Sequence, residues 1–121
     1  MRSVFFTNEF KPNIRQFAKK YRRIKSDIQP VIETLQRGET PGDRIPRLDV
    51  AVYKVRVANT DANKGTRGGY RIVYTKTDEQ TIILVTMYSR TEQSDVSPDE
   101  IAAIITAYEK ERDEAHDETE S

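Results

Sequence analysis

Three segments with the residue pattern of β-strands follow one another in the middle of the chain. Residues 50–58 alternate between apolar and polar side chains, and residues 70–77 and 81–89 are rich in β-branched and aromatic residues. A turn at residues 77–80 joins the second segment to the third, and it is too short for the crossover that parallel strands require. We therefore predict an antiparallel three-stranded meander, whose first connection is the long polar segment at residues 59–69.

Two helical patterns precede the predicted meander. Apolar residues recur at helical spacing over residues 9–22, after a candidate cap at residues 7–8. A second helix is predicted after Ser26, the candidate cap, with Gln29 as its capping-box partner and Gly38 at its end. The two helices are predicted to form a hairpin with a cluster of basic residues at its bend.

The remaining segments complete an α+β fold. A short apolar run at residues 4–6 is assigned to an N-terminal strand, and residues 38–49, with two glycines and two prolines, predict a loop. Ser97, Pro98 and Glu100 have the residue types of a helix N-cap and first turn. The predicted fold is therefore an N-terminal strand and a helical hairpin packed on an antiparallel β-meander, with a C-terminal helix.

The length and the residue types limit the chemistry that is available. A chain of 121 residues has the size of one domain. It contains no cysteine and one histidine, which excludes disulfides, thiolate zinc sites and multi-histidine metal centres. We expect no metal and no small-molecule cofactor, so lysine, arginine, tyrosine and carboxylates remain for chemistry. No apolar run has the length of a signal-peptide core or a membrane span, which favours a cytoplasmic location without a membrane partner.

The charged residues are distributed unevenly along the chain. The formal net charge is zero, but residues 1–90 hold 18 basic and 9 acidic residues, a net charge of +9. Residues 91–121 hold 2 basic and 11 acidic residues, a net charge of −9. This asymmetry predicts a cationic body that can meet a polyanion, joined to an anionic end. We assign residues 1–108 to the domain and residues 109–121 to an acidic tail that frays.

The alternation of side chains along strands predicts a cationic face on the sheet. Ile83, Val85 and Met87 are expected on the apolar face with the tyrosines of the second strand, against the helical hairpin. Ile82 and Leu84 are then expected on the opposite face, part of which the C-terminal helix covers. The cationic face collects Lys54, Arg56, Arg71, Tyr88 and Arg90, with Lys64 and Arg67 on the adjoining loop.

This cationic face has two interpretations. Lys54 and Arg56 could lie on an ordinary solvated sheet face, where long basic side chains are common. Arg71 lies in a central strand, and a half-buried guanidinium needs an anionic partner or ligand. The glycine-rich segment at residues 64–69 precedes a strand and not a helix, so it does not predict a nucleotide P-loop. His116, within the acidic tail, is interpreted as an exposed residue without a role in chemistry.

Three motifs along the meander resemble the RelE/ParE toxin superfamily, nearest its RelE and HigB-like members. They are the Lys-x-Arg pair at residues 54–56, the run Gly-Gly-Tyr-Arg-Ile-Val-Tyr at residues 68–74, and residues 83–90. The resemblance covers about residues 4–108. It implies a toxin of a type II toxin-antitoxin system, with a cognate antitoxin as partner. RelE-like members cut messenger RNA on the ribosome and so inhibit translation.

The resemblance also implies roles for individual residues. Lys54 and Arg56 match the paired cations of the first meander strand, and Arg71 matches the arginine that grips the scissile phosphate. Thr91 and Ser97 stand where RelE-type members place a further arginine and a late tyrosine, and Tyr88 and Arg90 lie close enough in sequence to replace them. Two alternatives stay open: a ParE-like toxin that inhibits gyrase without nuclease activity, and a degenerate member that only binds its antitoxin.

Metal-independent RNA cleavage requires a base for the 2′-hydroxyl, stabilisation of the charged phosphate and protonation of the leaving 5′-oxygen. Lys54 is a candidate base, because neighbouring cations favour the neutral form of a lysine. Arg71 is the stronger candidate, as a bidentate clamp on the phosphate. Tyr88 could stack on a base or donate a proton. The acidic tail is a further hypothesis, in which it folds across the cationic face and mimics RNA.

Overall fold

A computed structural model of the protein describes residues 1–93 and 95–120, and the side chains among them up to residue 114. The chain forms one sheet and three helices within this part. The elements are β1 (Ser3–Phe6), α1 (Phe10–Lys20), α2 (Ile24–Gln36), β2 (Asp43–Arg44), β3 (Ala51–Val57), β4 (Tyr70–Asp78), β5 (Thr81–Ser89) and α3 (Pro98–Glu120).

The sheet has the strand order β1-β5-β4-β3-β2. The pairs β3–β4 and β4–β5 are antiparallel, which confirms the predicted meander. The N-terminal strand β1 is also confirmed and pairs with β5 in parallel. The prediction of a loop over residues 38–49 missed β2, a two-residue strand that pairs with the outer edge of β3. The observed architecture is therefore α+β, as predicted.

The ends of the hairpin helices differ in how far the sequence predicted them. Thr7 Oγ1 accepts a hydrogen bond from the Phe10 N–H at 3.0 Å, so the predicted cap of α1 is confirmed. The prediction for α2 was wrong, because the helix begins two residues before Ser26, whose hydroxyl donates to the Arg23 carbonyl at 2.9 Å. The Arg23 N–H instead donates to the carboxylate of Asp61 at 2.6 Å. Asp61, in a distant loop, therefore supplies the side-chain acceptor at the start of α2 that local spacing assigned to Ser26.

One face of the sheet packs against the α1–α2 hairpin. The rings of Phe17 and Tyr70 are 5.2 Å apart, and Phe10 and Leu35 are fully buried. Burial of this apolar surface is the main source of stability for the fold. The sheet residues in this core are Val55, Val57, Tyr70, Ile72, Tyr74, Ile82, Leu84 and Met87.

A β-bulge in β5 changes which side chains reach the hairpin. Val73 pairs with Thr86 but the next residue, Tyr74, pairs with Leu84, so Val85 is an extra residue in β5. Strict alternation placed Val85 with Met87, whereas the structure places Leu84 with Met87 in the hairpin core. Val85 packs on the opposite face. The predicted faces of Ile82, Ile83, Leu84 and Val85 were therefore wrong, because alternation fails across a bulge.

The start of α3 covers part of the opposite face. Ile101 and Ile105 pack with Val96 on the apolar residues there, and Tyr88 lies at the edge of the same cluster. The Glu100 N–H donates to Ser97 Oγ at 3.2 Å, which confirms the predicted cap. The sheet residues that this helix covers are Val52, Val73 and Val85.

The helix α3 extends through most of the segment that the sequence assigned to a fraying acidic tail. Whether residues 109–121 fray stays a prediction, and the side chains of residues 115–121, including His116, lie outside the described part. No helix in residues 1–93 and 95–120 has an apolar stretch long enough to cross a membrane.

Candidate functional site

The strand register places the predicted site residues side by side. Arg56 on β3 pairs directly with Arg71 on β4, and Arg71 pairs with Tyr88 on β5. Lys54 lies on the same face as Arg56, because the two residues are two positions apart along β3. Arg90 follows β5, and its N–H donates to the Gly69 carbonyl at 2.9 Å. These five residues line one cleft of about 460 Å³, together with two carboxylates, Asp43 and Asp95.

Arg71 lies at the floor of this cleft and is 6% exposed. One terminal nitrogen of its guanidinium donates to the carbonyls of Thr66 and Tyr70, at 2.9 and 3.0 Å. The other donates to the Arg67 carbonyl at 2.8 Å. These hydrogen bonds fix the side chain and fold the connection before β4 around it. All of their acceptors are neutral, so within the described part of the chain they leave the positive charge of the guanidinium uncompensated.

A glycine allows this connection to run close to the sheet. Gly69 precedes β4, and a Cβ atom there would overlap the carbonyl oxygen of Val57 on the neighbouring strand. The same residue accepts the hydrogen bond from the Arg90 N–H. Gly69 therefore allows the ends of β3, β4 and β5 to lie close together beside Arg71.

Burial and charge repulsion both act on Arg71. Burial lowers the pKa of the Arg71 guanidinium below its usual value, and the positive charges of Arg56 and Arg90 lower that pKa further. An arginine nevertheless stays charged at neutral pH. The two lowering effects show that the charge is held at a cost that a bound anion would relieve.

Asp95 is one of the two cleft carboxylates that sequence reasoning missed, and Asp43 is the other. Asp95 Oδ1 accepts hydrogen bonds from Lys54 Nζ at 3.1 Å and from the Tyr88 hydroxyl at 3.2 Å. It also accepts from the Val96 N–H at 2.8 Å. Asp95 lies in the connection between β5 and α3, and the path of a connection is not encoded in strand alternation. A single carboxylate therefore orders the ammonium and phenol groups of the cleft.

The ionisation of Tyr88 and Asp95 follows from these contacts. Burial, followed by the negative charge of Asp95, raises the pKa of Tyr88 to about 12. Partial burial by itself raises the pKa of Asp95, but the Val96 N–H and the Lys54 ammonium outweigh it, and that pKa falls below its usual value. At neutral pH the phenol is therefore a proton donor and the carboxylate is ionised.

The other candidate residues lie outside the cleft. Lys64 and Arg67 have exposed side chains on the connection at residues 59–69 and are not among the cleft-lining residues. Thr91 Oγ1 lies 2.9 Å from Ser89 Oγ, and Ser97 caps α3. The cleft therefore brings together five of the seven predicted site residues.

The cleft has the electrostatics of an anion site. Its lining contains four cationic side chains and two carboxylates, an excess of two positive charges. Cations around a buried guanidinium are suited to bind a phosphodiester and to stabilise additional charge on it. Within the described residues, no group of three or more His, Asp or Glu side chains is close enough to hold a metal ion.

The helical hairpin on one face of the sheet and the arginine-lined cleft on the other define the class of small α+β toxins of the RelE/ParE superfamily. A family model described as the RelE toxin of the RelE/RelB toxin-antitoxin system matches residues 3–119. The chain belongs to this family and is a toxin of a toxin-antitoxin system, which implies an antitoxin partner. No curated protein sequence matches the chain significantly.

Proposed function

We propose that this toxin is a ribosome-dependent, metal-independent endoribonuclease that cleaves messenger RNA in the cytoplasm and so inhibits translation. The observation that carries the proposal is the position of Arg71. Its guanidinium is almost fully buried and bonded only to neutral carbonyls in the described part of the chain, at the floor of a cleft with three further cations. A site built in this way favours an anion with several oxygens, such as the phosphodiester of RNA.

Arg71 binds the scissile phosphate in this mechanism. Charge on the phosphate increases as the ribose 2′-oxygen attacks, and a fixed guanidinium stabilises that charge without reorganising. Arg56 and Arg90 flank Arg71 and contribute charge from more exposed positions. Removal of one preorganised donor of this type typically costs about 100-fold to 1000-fold in rate.

Proton transfer is assigned to the group around Asp95. The Tyr88 phenol is protonated at neutral pH, and before RNA binds it donates its proton in the hydrogen bond to Asp95 that holds the ring in the cleft. When RNA is bound, it donates this proton to the leaving 5′-oxygen instead. Lys54 is paired with Asp95 as an ammonium ion before RNA arrives. Lys54 is a second phosphate ligand as that ammonium ion, and the ionised Asp95 carboxylate that it leaves accepts the proton of the attacking 2′-hydroxyl.

The test is expression of the wild-type toxin and of Arg71→Ala, with mapping of transcript 5′ ends and assay of DNA damage. A nuclease cleaves transcripts at positions set by the reading frame, and Arg71→Ala abolishes both cleavage and growth arrest. Arg15→Ala is the matched control, because it removes the same charge from α1 on the other face of the sheet. It is expected to leave cleavage unchanged.

Arg71 also anchors residues 66–70, so a folded second variant is needed. Arg56 is exposed, and Arg56→Ala is expected to reduce cleavage while the melting temperature stays within a few degrees of the wild type. Growth arrest with DNA breaks and intact transcripts would contradict the proposal and favour a gyrase inhibitor. Antitoxin binding without growth arrest would favour a member that has lost its activity.

A further inference from the structure

A second cavity of about 410 Å³ adjoins the arginine-lined cleft. Asp43, Lys54 and Asp95 line both cavities, so the ion pair between Lys54 and Asp95 stands at their boundary. Each cavity has a volume in the range of about 300–1,000 Å³ that is typical of sites for small organic ligands. Together they form a groove with two chambers, and the predicted site residues occupy only the first chamber.

The second chamber is built by two segments that the sequence did not mark as functional. Residues 44–47 form one wall, and Val96 and Pro98 at the start of α3 form another. The Ile45 N–H donates to the Val52 carbonyl at 2.8 Å, and the Ile45 side chain packs on the apolar cluster under α3. Ile45 and Val96 therefore anchor the two walls to the apolar cluster on the sheet, and most of the other side chains of the chamber are more exposed.

The lining of the second chamber combines positive charge with an apolar surface. Arg44 and Arg47 are exposed cations at its rim, and Lys54 adds a third at the boundary. Arg47 has a φ of 68°, a backbone conformation that residues other than glycine seldom adopt. Ile45, Val96 and Pro98 contribute apolar atoms. This combination fits a nucleotide, whose phosphate pairs with cations and whose base packs on apolar side chains.

We infer that the second chamber binds the nucleotide adjacent to the scissile phosphate, while the arginine-lined cleft holds that phosphate. The inference rests on the proposed function, since it requires RNA in the first chamber. Lys54 then lies between two successive phosphates. On binding, it exchanges its contact with Asp95 for contacts with RNA.

The first test uses a single-stranded RNA of three adenosines with 2′-O-methyl riboses, which cannot be cleaved by attack of the 2′-oxygen. Its titration into the full-length protein is followed by NMR. The Nε–H signals of Arg56 and Arg90 report on the first chamber, and the δ1 methyl signal of Ile45 reports on the second. We expect all three to shift with one dissociation constant. The methyl signal of Ile14, in the groove between α1 and α2, is the control and stays in place.

The possible outcomes separate this inference from the proposed function. If the Arg56 and Arg90 signals shift but the Ile45 signal does not, the second chamber is not a nucleotide site and the proposed function stands. If none of the three signals shifts, the inference is overturned, and the proposed function is decided by the transcript-cleavage assay with Arg71→Ala. A trinucleotide that lacks one terminal base is expected to lose the Ile45 shift and keep the arginine shifts. An unchanged Ile45 shift would contradict a contact with the base.

The second test changes the charge of the chamber. The double variant Arg44→Ala/Arg47→Ala is expected to bind the trinucleotide about tenfold more weakly. The slope of the logarithm of the binding constant against the logarithm of the salt concentration is expected to become shallower by about one unit, the value for one lost phosphate contact. Arg15→Ala/Lys25→Ala removes two charges from the groove between α1 and α2 and is expected to leave both quantities unchanged. Equal weakening by the two double variants would show a general effect of net charge and would overturn the inference.

Discussion

The sheet face that lies opposite the helical hairpin has two halves with different roles. In one half, Val52 and Val73 are fully buried beneath Ile101 of α3. In the other half, Arg71 is almost as deeply buried, but the groups around it are cations and backbone carbonyls. The two halves share the strand β4, in which Val73 and Arg71 are separated by a single residue.

The difference shows how one strand can serve both stability and binding. Burial of the apolar side chains in the first half stabilises the fold, so α3 stays packed on them. A guanidinium in the second half would lose solvation under the same cover, and Arg71 instead lies at the floor of a cleft in which an anion can replace water. We therefore expect substitutions in the two halves to separate stability from activity.

The largest effect is expected at Arg71, within the cationic half. Arg71→Lys keeps one positive charge but loses the planar guanidinium that donates to three backbone carbonyls and that we propose binds two phosphate oxygens. We expect single-turnover cleavage of ribosome-bound messenger RNA to fall about 100-fold or more. Arg56→Lys, in the directly paired and exposed position, is expected to lose less than about tenfold. Equal losses at the two positions would show that burial does not distinguish these arginines.

The next largest effect is expected in the apolar half and concerns stability. Ile101 is 1% exposed, and Ile101→Ala leaves a cavity between α3 and the sheet. We expect its free energy of unfolding, measured by urea denaturation, to fall by about 3 kcal/mol. Thr106→Ala, on an exposed position of the same helix, is expected to change it by less than about 0.5 kcal/mol. A loss below about 1 kcal/mol at Ile101 would mean that α3 does not stabilise this half.

The sequence predicted the elements well, because their signals are local. The segment at residues 81–89 was predicted with the observed bounds of β5, and the pattern Ser97 to Glu100 predicted the cap of α3. Alternation also placed Arg71 and Tyr88 on one face, since both lie on the same side of the bulge. The prediction failed at Leu84, beyond the bulge, because one inserted residue reverses every face that follows.

The features that the sequence did not predict depend on the paths of connections. Asp95 reaches the cleft from the segment between β5 and α3, and no periodic pattern predicts its contact with Lys54. The second chamber depends on the pairing of Asp43 with Lys54, across a strand of only two residues. Arg71 was expected to need an anionic partner or ligand, and strand alternation did not predict the three backbone carbonyls that accept from its terminal nitrogens. These contacts follow from tertiary structure and not from spacing.

A smaller effect is expected from the carboxylate at the boundary of the two chambers. Asp95→Asn keeps an acceptor for Tyr88 but raises the net charge of the cleft by one unit. We expect binding of the 2′-O-methyl trinucleotide to strengthen about threefold to tenfold at low salt and to approach the wild-type value at high salt. Asp99→Asn, an exposed position in the first turn of α3, is the control and is expected to have no such effect. Weaker binding by Asp95→Asn would mean that the carboxylate positions RNA-binding groups and does not compete with phosphate.

The smallest effect is expected in the pH dependence of stability, and its sign follows from Asp95. The pKa of this carboxyl is lower in the folded chain than its usual value, so its ionised form favours folding. That contribution is present above the ordinary pKa of about 3.9 and is lost as the pH falls through the lower folded value. The Asp95 side chain is 62% exposed, which limits the contribution to roughly 0.2–1 kcal/mol. We therefore expect wild type to exceed Asp95→Asn in free energy of unfolding at pH 6, and the difference to vanish by about pH 2. A difference that persists at low pH would assign it to hydrogen-bond geometry and not to the charge shared with Lys54.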